Sequence, residues 1–268
     1  MCGFGVELYI ISFFSITGQS VEALVAFLEP SVFLPVALIL LLSGVIFGVF
    51  GFAYVLTSIA LLPFFMDVKI AIPMIAVQVP VYSCVMLFGL RKHVSLAALP
   101  LIVGLFIGLP FGVYLLGTLN DAIIRKLLGS VILLHCLLSV RTISSATPML
   151  SGRGWPWLFG VLSGVIGGAV VAAGPITVAY LTLRRLSKEE FKATFLAWAL
   201  AMGCVLPPLY GVSGILNSQA LVWGIVTLPF AGIGVFLGSK LFRVVAEPIF
   251  FRLILILLAL SALRLIIA

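Results

Sequence analysis

The side chains able to do chemistry are few, and most lie inside apolar runs. Gln78, Tyr82 and Ser83 fall in one such run, residues 70–90. Gln78 and Tyr82 are four residues apart and so share a helix face. An amide in apolar surroundings takes a hydrogen-bond partner on another helix, so the pair reads either as a helix–helix tie or as a contact to a ligand. Thr194, Trp198 and Cys204 occupy the comparable run of the second half. Trp198 offers a packing surface to a neighbour or to an apolar ligand. Thr57, Ser58, Thr177 and Thr182 carry hydroxyls that either serve a site or bond back to their own helix. His135 sits within Leu133–Leu137 and fits a proton relay or a hydrogen-bonded structural imidazole. His93 lies beside Arg91 and Lys92 and reads as a loop residue.

Glycines mark two further positions. Gly48-Val49-Phe50-Gly51-Phe52 interrupts one apolar run, and Gly167, Gly168 and Gly174-Pro175 interrupt another. Proline is preorganised for the first turn of a helix, where its missing N–H does no harm. A Gly-Pro in mid-run therefore predicts one short helix ending and another beginning. The start of such a half-helix presents free N–H groups and a partial positive charge, which suits an oxyanion. Gly51 and Gly174 leave room for backbone to approach a ligand. Gly44, Gly108, Gly112, Gly164, Gly234 and Gly238 read equally as devices for close helix packing.

Enzyme chemistry finds little here. The zinc motif His-Glu-x-x-His is absent, Asp67 and Asp121 lie at segment edges, and nothing marks a nucleophile for His135. Two histidines in different settings do not make a haem pair. No cofactor is expected.

The elements that must position these residues follow from composition. Of 268 residues, 63% are hydrophobic and 9% charged, and the mean hydropathy is +1.37. A soluble domain carries about 25% charged residues, so this chain cannot cover a globule with polar surface. That excludes a cytosolic enzyme, a nucleic-acid module and a disordered chain, and leaves an all-α polytopic protein of the lipid bilayer. The net charge of +7 reads as loop lysines and arginines that set topology; no nucleic-acid partner is expected. Four cysteines form no metal or disulfide spacing; Cys84, Cys136 and Cys204 read as buried thiols. No basic n-region or cleavage pattern opens the chain, so no cleavable signal is expected.

A spanning helix needs about 20 predominantly apolar residues. Segments of that kind run over 33–65, 70–90, 95–117, 123–140, 156–182, 193–211, 220–239 and 250–267. Residues 1–32 are broken by polar groups and read as an interfacial helix or a poor extra span. The stretch 142–155 is a Ser/Thr/Gly/Pro-rich linker. On either side of it the sequence repeats. Leu42-Ser43-Gly44-Val45-Ile46-Phe47-Gly48 returns as Leu162-Ser163-Gly164-Val165-Ile166-Gly167-Gly168, an offset of 120. Gly108 and Gly112 are answered by Gly234 and Gly238. The domain reading is a first repeat, 33–141, and a second, 156–268, each of four segments with a broken Gly-rich first segment. Paired broken segments in corresponding positions point to a transporter site.

This layout resembles the sulfite exporter TauE/SafE family, also called the toluene-sulfonate uptake permease family, over about residues 33–267. Where that family carries a tight Gly-x-Gly-Gly-Gly run, this chain has Gly48 to Phe52 and, at 169–173, Ala-Val-Val-Ala-Ala. The resemblance implies a secondary transporter of sulfite or organosulfonates in a bacterial inner membrane. The anion would be held near Gly48, Gly51, Phe52, Gln78, Tyr82, Ser83, Gly168, Gly174, Pro175 and Trp198. An intramembrane enzyme and an anion channel are the alternatives; coupling to protons or ions stays open. No lysine or arginine falls in mid-segment, so a site built on fixed cations is not expected. If each Gly-rich segment crosses the membrane, the halves are parallel and the basic residues divide 10 to 5 between the two sides. If each turns back, the halves are inverted and the division is 11 to 4. The positive-inside rule barely separates these counts; the reversal of the bias between the halves favours inverted repeats.

Overall fold

The computed structural model describes residues 30–95, 99–120, 154–184 and 186–241, with parts of 122–133. The N-terminal segment, His135, Cys136, most of the linker and the end of the second repeat lie outside the described residues. The chain folds into helices α1 (Pro30–Phe50), α2 (Tyr54–Leu61), α3 (Val68–Leu90), α4 (Leu99–Thr118), α5 (Trp155–Val170), α6 (Gly174–Leu183), α7 (Lys188–Val212) and α8 (Ser218–Leu241). No strand occurs among the described residues. α1, α3, α4, α7 and α8 each contain a stretch long and apolar enough to cross a membrane, given a hydrocarbon core of about 30 Å. α2 and α5 are shorter, with 8 and 16 residues.

Side-chain caps fix helix starts, among them those of α3 and α7. Asp67 accepts the Lys69 N–H at 3.3 Å ahead of α3. Ser187 and Glu190 form a reciprocal capping box ahead of α7, which satisfies two of the N–H groups a helix start leaves open. The second cap corrects a boundary. The sequence reading places Lys188–Lys192 in a connection, because they are charged; the box starts α7 at Lys188, so Lys192 is helical.

Helix pairing follows the glycines. The most extensive contacts join α4 to α5 and α1 to α8, followed by α3 to α7. A Cβ on Gly44 would stand 2.3 Å from the Ala231 carbonyl oxygen, and one on Gly48 would stand 2.4 Å from that of Val235. Reciprocally, Gly234 lies against Leu41 and Gly238 against Val45. The partners advance together along both helices, so α1 and α8 run in the same sense. The pair α4–α5 repeats this arrangement: Gly104, Gly108 and Gly112 meet Trp157, Val161 and Val165 in order. In both pairs the bare backbone of one helix rests on the carbonyls of the other, as small residues permit in a membrane. α3 and α7 run in opposite senses: Pro80 packs on Gly203, while Ser95, just past α3, donates its N–H to Thr194 Oγ1 at 3.0 Å.

Cys84 and Cys204 depart from expectation. Both are exposed on the outer surface of the bundle, so their apolar surroundings are those of an outward helix face and not of the core.

Candidate functional site

Each half contains a short interruption between its first two helices. α1 ends at Phe50 and α2 begins at Tyr54; in between, Gly51 and Ala53 have φ of 77° and 74°. α5 ends at Val170 and α6 begins at Gly174, with Val171 at φ 58°. Left-handed backbone is costly for a β-branched residue, so Val171 is held there by its surroundings. The first N–H groups of α2 and α6 have no partners within their own helices.

Both interruptions open onto one small cavity of about 30 Å³. Phe52, Ala53 and Tyr54 line it from the first, and Val171, Ala172 and Gly174 from the second. Val79 and Tyr82 from the middle of α3, and Phe195, Trp198, Ala199 and Met202 from α7, close its sides. A site of this size has room for a water molecule or two, so a larger ligand requires these side chains to move apart.

The polar groups around it divide into satisfied and unsatisfied. The Gln78 amide is fully engaged: its oxygen accepts the Tyr54 hydroxyl, and its nitrogen donates to the Gly224 carbonyl at 2.9 Å and to Thr227 Oγ1 at 2.8 Å. Tyr82 donates to the Leu228 carbonyl at 2.8 Å. Among the described residues, the Trp198 indole N–H is buried with no hydrogen-bond partner, as are the hydroxyls of Thr57, Ser58, Thr177 and Ser83. Thr57 and Thr177 are equivalent at the offset of 120. Buried indole N–H groups are normally bonded, and Trp198 is the one of these unpartnered groups that lines the cavity.

Of the residues singled out in the sequence, Phe52, Tyr82, Gly174 and Trp198 line the cavity, and Pro175 falls in the first turn of α6. Gln78 stands behind Tyr54, tying it to α8. Ser83, next to Tyr82, is buried but is not itself among the residues lining the cavity. Gly48 and Gly168 are packed at the helix crossings, where added Cβ atoms would meet carbonyl oxygens at 2.4 Å. Gly51 packs on the Lys192 side chain, whose Cγ would lie 2.8 Å from an added Cβ.

Sequence reasoning missed Tyr54, Phe195, Met202 and Lys192. The spacing of Phe195, Trp198, Ala199 and Met202 is that of one helix face and was available as a signal. Lys192, near the start of α7 and not in mid-segment, reaches the first break. Its ammonium donates to the Gly48 carbonyl at 3.1 Å. The equivalent Gly168 carbonyl accepts the Tyr210 hydroxyl at 2.7 Å.

A helical bundle with five helices long and apolar enough to cross a membrane fits a polytopic membrane protein. A family profile described as sulfite exporter TauE/SafE matches residues 36–265. The chain belongs to that family. It is also 30% identical over 166 residues, 60% of its own length and 68% of the relative's, to the "Probable inner membrane transporter protein TsaS" of Comamonas testosteroni. No solved structure matches. Family and relative alike indicate a transporter in place of an enzyme.

Proposed function

We propose that this protein is a multi-pass inner-membrane secondary transporter of sulfur-containing anions, sulfite or organosulfonates. The anion is held at mid-membrane between the starts of α2 and α6. The observation that carries this reading is the convergence of two half-helix starts on one cavity beside an unpartnered Trp198 N–H. Backbone N–H groups and helix dipoles favour an oxyanion, and the indole supplies a further donor. The aromatic lining formed by Phe52, Tyr54, Phe195 and Trp198 suits an uncharged remainder of the ligand.

The senses of the packed helices support this reading. α1 runs with α8 and α4 with α5, while α3 and α7 oppose each other. Inverted repeats would set helices at equivalent positions of the two halves in opposite directions, and these senses agree with that. That is the arrangement in which rocking of the two halves exposes a central site alternately to each side.

The test is uptake of sulfite and of benzenesulfonate into proteoliposomes, with binding of the same probes in detergent. Trp198→Phe keeps the ring and removes the donor. A hydrogen bond to a charged group contributes roughly 1.5–3 kcal/mol, so this variant should bind about ten- to a hundredfold more weakly with its melting temperature preserved. Wild-type affinity in Trp198→Phe would move the anion elsewhere. Absence of any uptake by the wild type would refute the transport reading.

A further inference from the structure

The two breaks are matched in geometry and unmatched in charge. At each one a helix ends with carbonyls, and the next begins with N–H groups, that have no partners within their own helices. The carbonyl end carries about half a negative charge and the N–H end about half a positive one, so an anion at either break meets attraction and repulsion together. The equivalent carbonyls of Gly48 and Gly168 both accept a side-chain donor from α7. At Gly168 it is the neutral Tyr210 hydroxyl, at 2.7 Å. At Gly48 it is the Lys192 ammonium, at 3.1 Å. Among the described residues, the carbonyl end of the first break accepts a cationic donor and that of the second a neutral one.

Lys192 is also aligned with the cavity. It lies three residues before Phe195 and seven before Ala199, on the face of α7 that supplies lining residues. Its stem rests on Gly51, next to Phe52, whose ring contacts Phe191 and Phe195 with centroids 6.3 and 6.1 Å away. The half-buried position of Lys192 reduces solvent screening of its charge.

We infer that Lys192 is the charge-selecting residue of the transport site: it makes the first break the electropositive end of the cavity, so the anionic head group is held at the start of α2 and the uncharged remainder extends toward Val171–Gly174. This assignment rests on the proposed transport function and deepens it. A lysine acting only as a cap for the end of α1 would tie two helices together and leave ligand charge unread.

The experiment compares two probes of similar shape and different charge, benzenesulfonate and the neutral benzenesulfonamide, by binding to the purified full chain in detergent. Lys192→Met keeps the stem over Gly51 and removes the charge. It should weaken benzenesulfonate binding about ten- to a hundredfold, the range for a lost charged hydrogen bond, and shift benzenesulfonamide by less than about threefold on the same scale. Tyr210→Phe removes the equivalent cap at the second break and should leave the preference between the probes unchanged. Lys192→Arg keeps the charge and should keep the preference, which leaves the assignment testable if Lys192→Met does not fold. A folded Lys192→Met with wild-type preference, or a folded Lys192→Arg without any, overturns the charge-selecting role alone. A wild type that binds no sulfonate or sulfite overturns the transport reading together with it.

Discussion

Three hydrogen bonds meet on the amide of Gln78, linking Tyr54 to Gly224 and Thr227. Its spacing from Tyr82 made the pair visible in the sequence, and both side chains do reach α8. The sequence could not tell which of them faces the cavity, because that depends on how α2 folds back over α3. Tyr54 was invisible for the same reason: its importance comes from standing first after a break. Gln78 acts as a positioning residue for Tyr54. Gln78→Leu should strand the Tyr54 hydroxyl and lower stability by about 1–2 kcal/mol, the range for interhelical polar contacts in membranes, read as a fall in melting temperature. Gln78→Glu keeps the shape and one acceptor for Tyr54, and at a pH where the carboxyl is protonated it should recover part of that loss. Equal melting temperatures for wild type and Gln78→Leu would show that the network contributes nothing to the fold.

The glycine patterns belong to the helices as elements. The repeat of Ser-Gly at 43–44 and 163–164, and the paired glycines of α4 and α8, were legible as motifs with two meanings, packing and breaking. The three-dimensional arrangement separates those meanings. Gly44, Gly48, Gly164 and Gly168 pack against Gly234, Gly238, Gly108 and Gly112 or their neighbours, whereas the left-handed turns fall on Gly51, Ala53 and Val171. No propensity rule selects Val171 for such a turn, so the second break was legible only through Gly174-Pro175, which lies just beyond it. Packing glycines and other glycines should respond differently to a methyl group. In Gly112→Ala the new Cβ would meet the Val165 carbonyl at 2.1 Å, and overpacking of this kind costs typically about 1–3 kcal/mol. Gly89, near the end of α3, has nothing within 4 Å of an added Cβ. Gly89→Ala should be neutral or stabilising by up to about 1 kcal/mol. Melting curves of the two purified variants check this; similar curves would mean that α4 and α5 do not pack through their glycines.

At the scale of the whole molecule, the sequence yielded the all-helical bundle and the family directly, since both rest on apolar run length and repeated motifs. The relative direction of the halves was harder, because loop charges divide 10 to 5 in one scheme and 11 to 4 in the other. The direction in which α1 follows α8, and α3 opposes α7, adds information that charge counting lacks. In the inverted arrangement the start of α3 and the start of α7 lie on opposite sides of the membrane; in the parallel arrangement they share one. Lys69 and Glu189 are exposed residues at these two starts. The more basic side, which includes Arg91, Lys92 and Lys188, faces the cytoplasm under the positive-inside rule. With the four native cysteines replaced by serine, Lys69→Cys should react with a membrane-impermeant maleimide in intact cells. Glu189→Cys should react only after the membrane is permeabilised. Labelling of both, or of neither, in intact cells would place the two starts on one side and would return the repeats to the parallel arrangement.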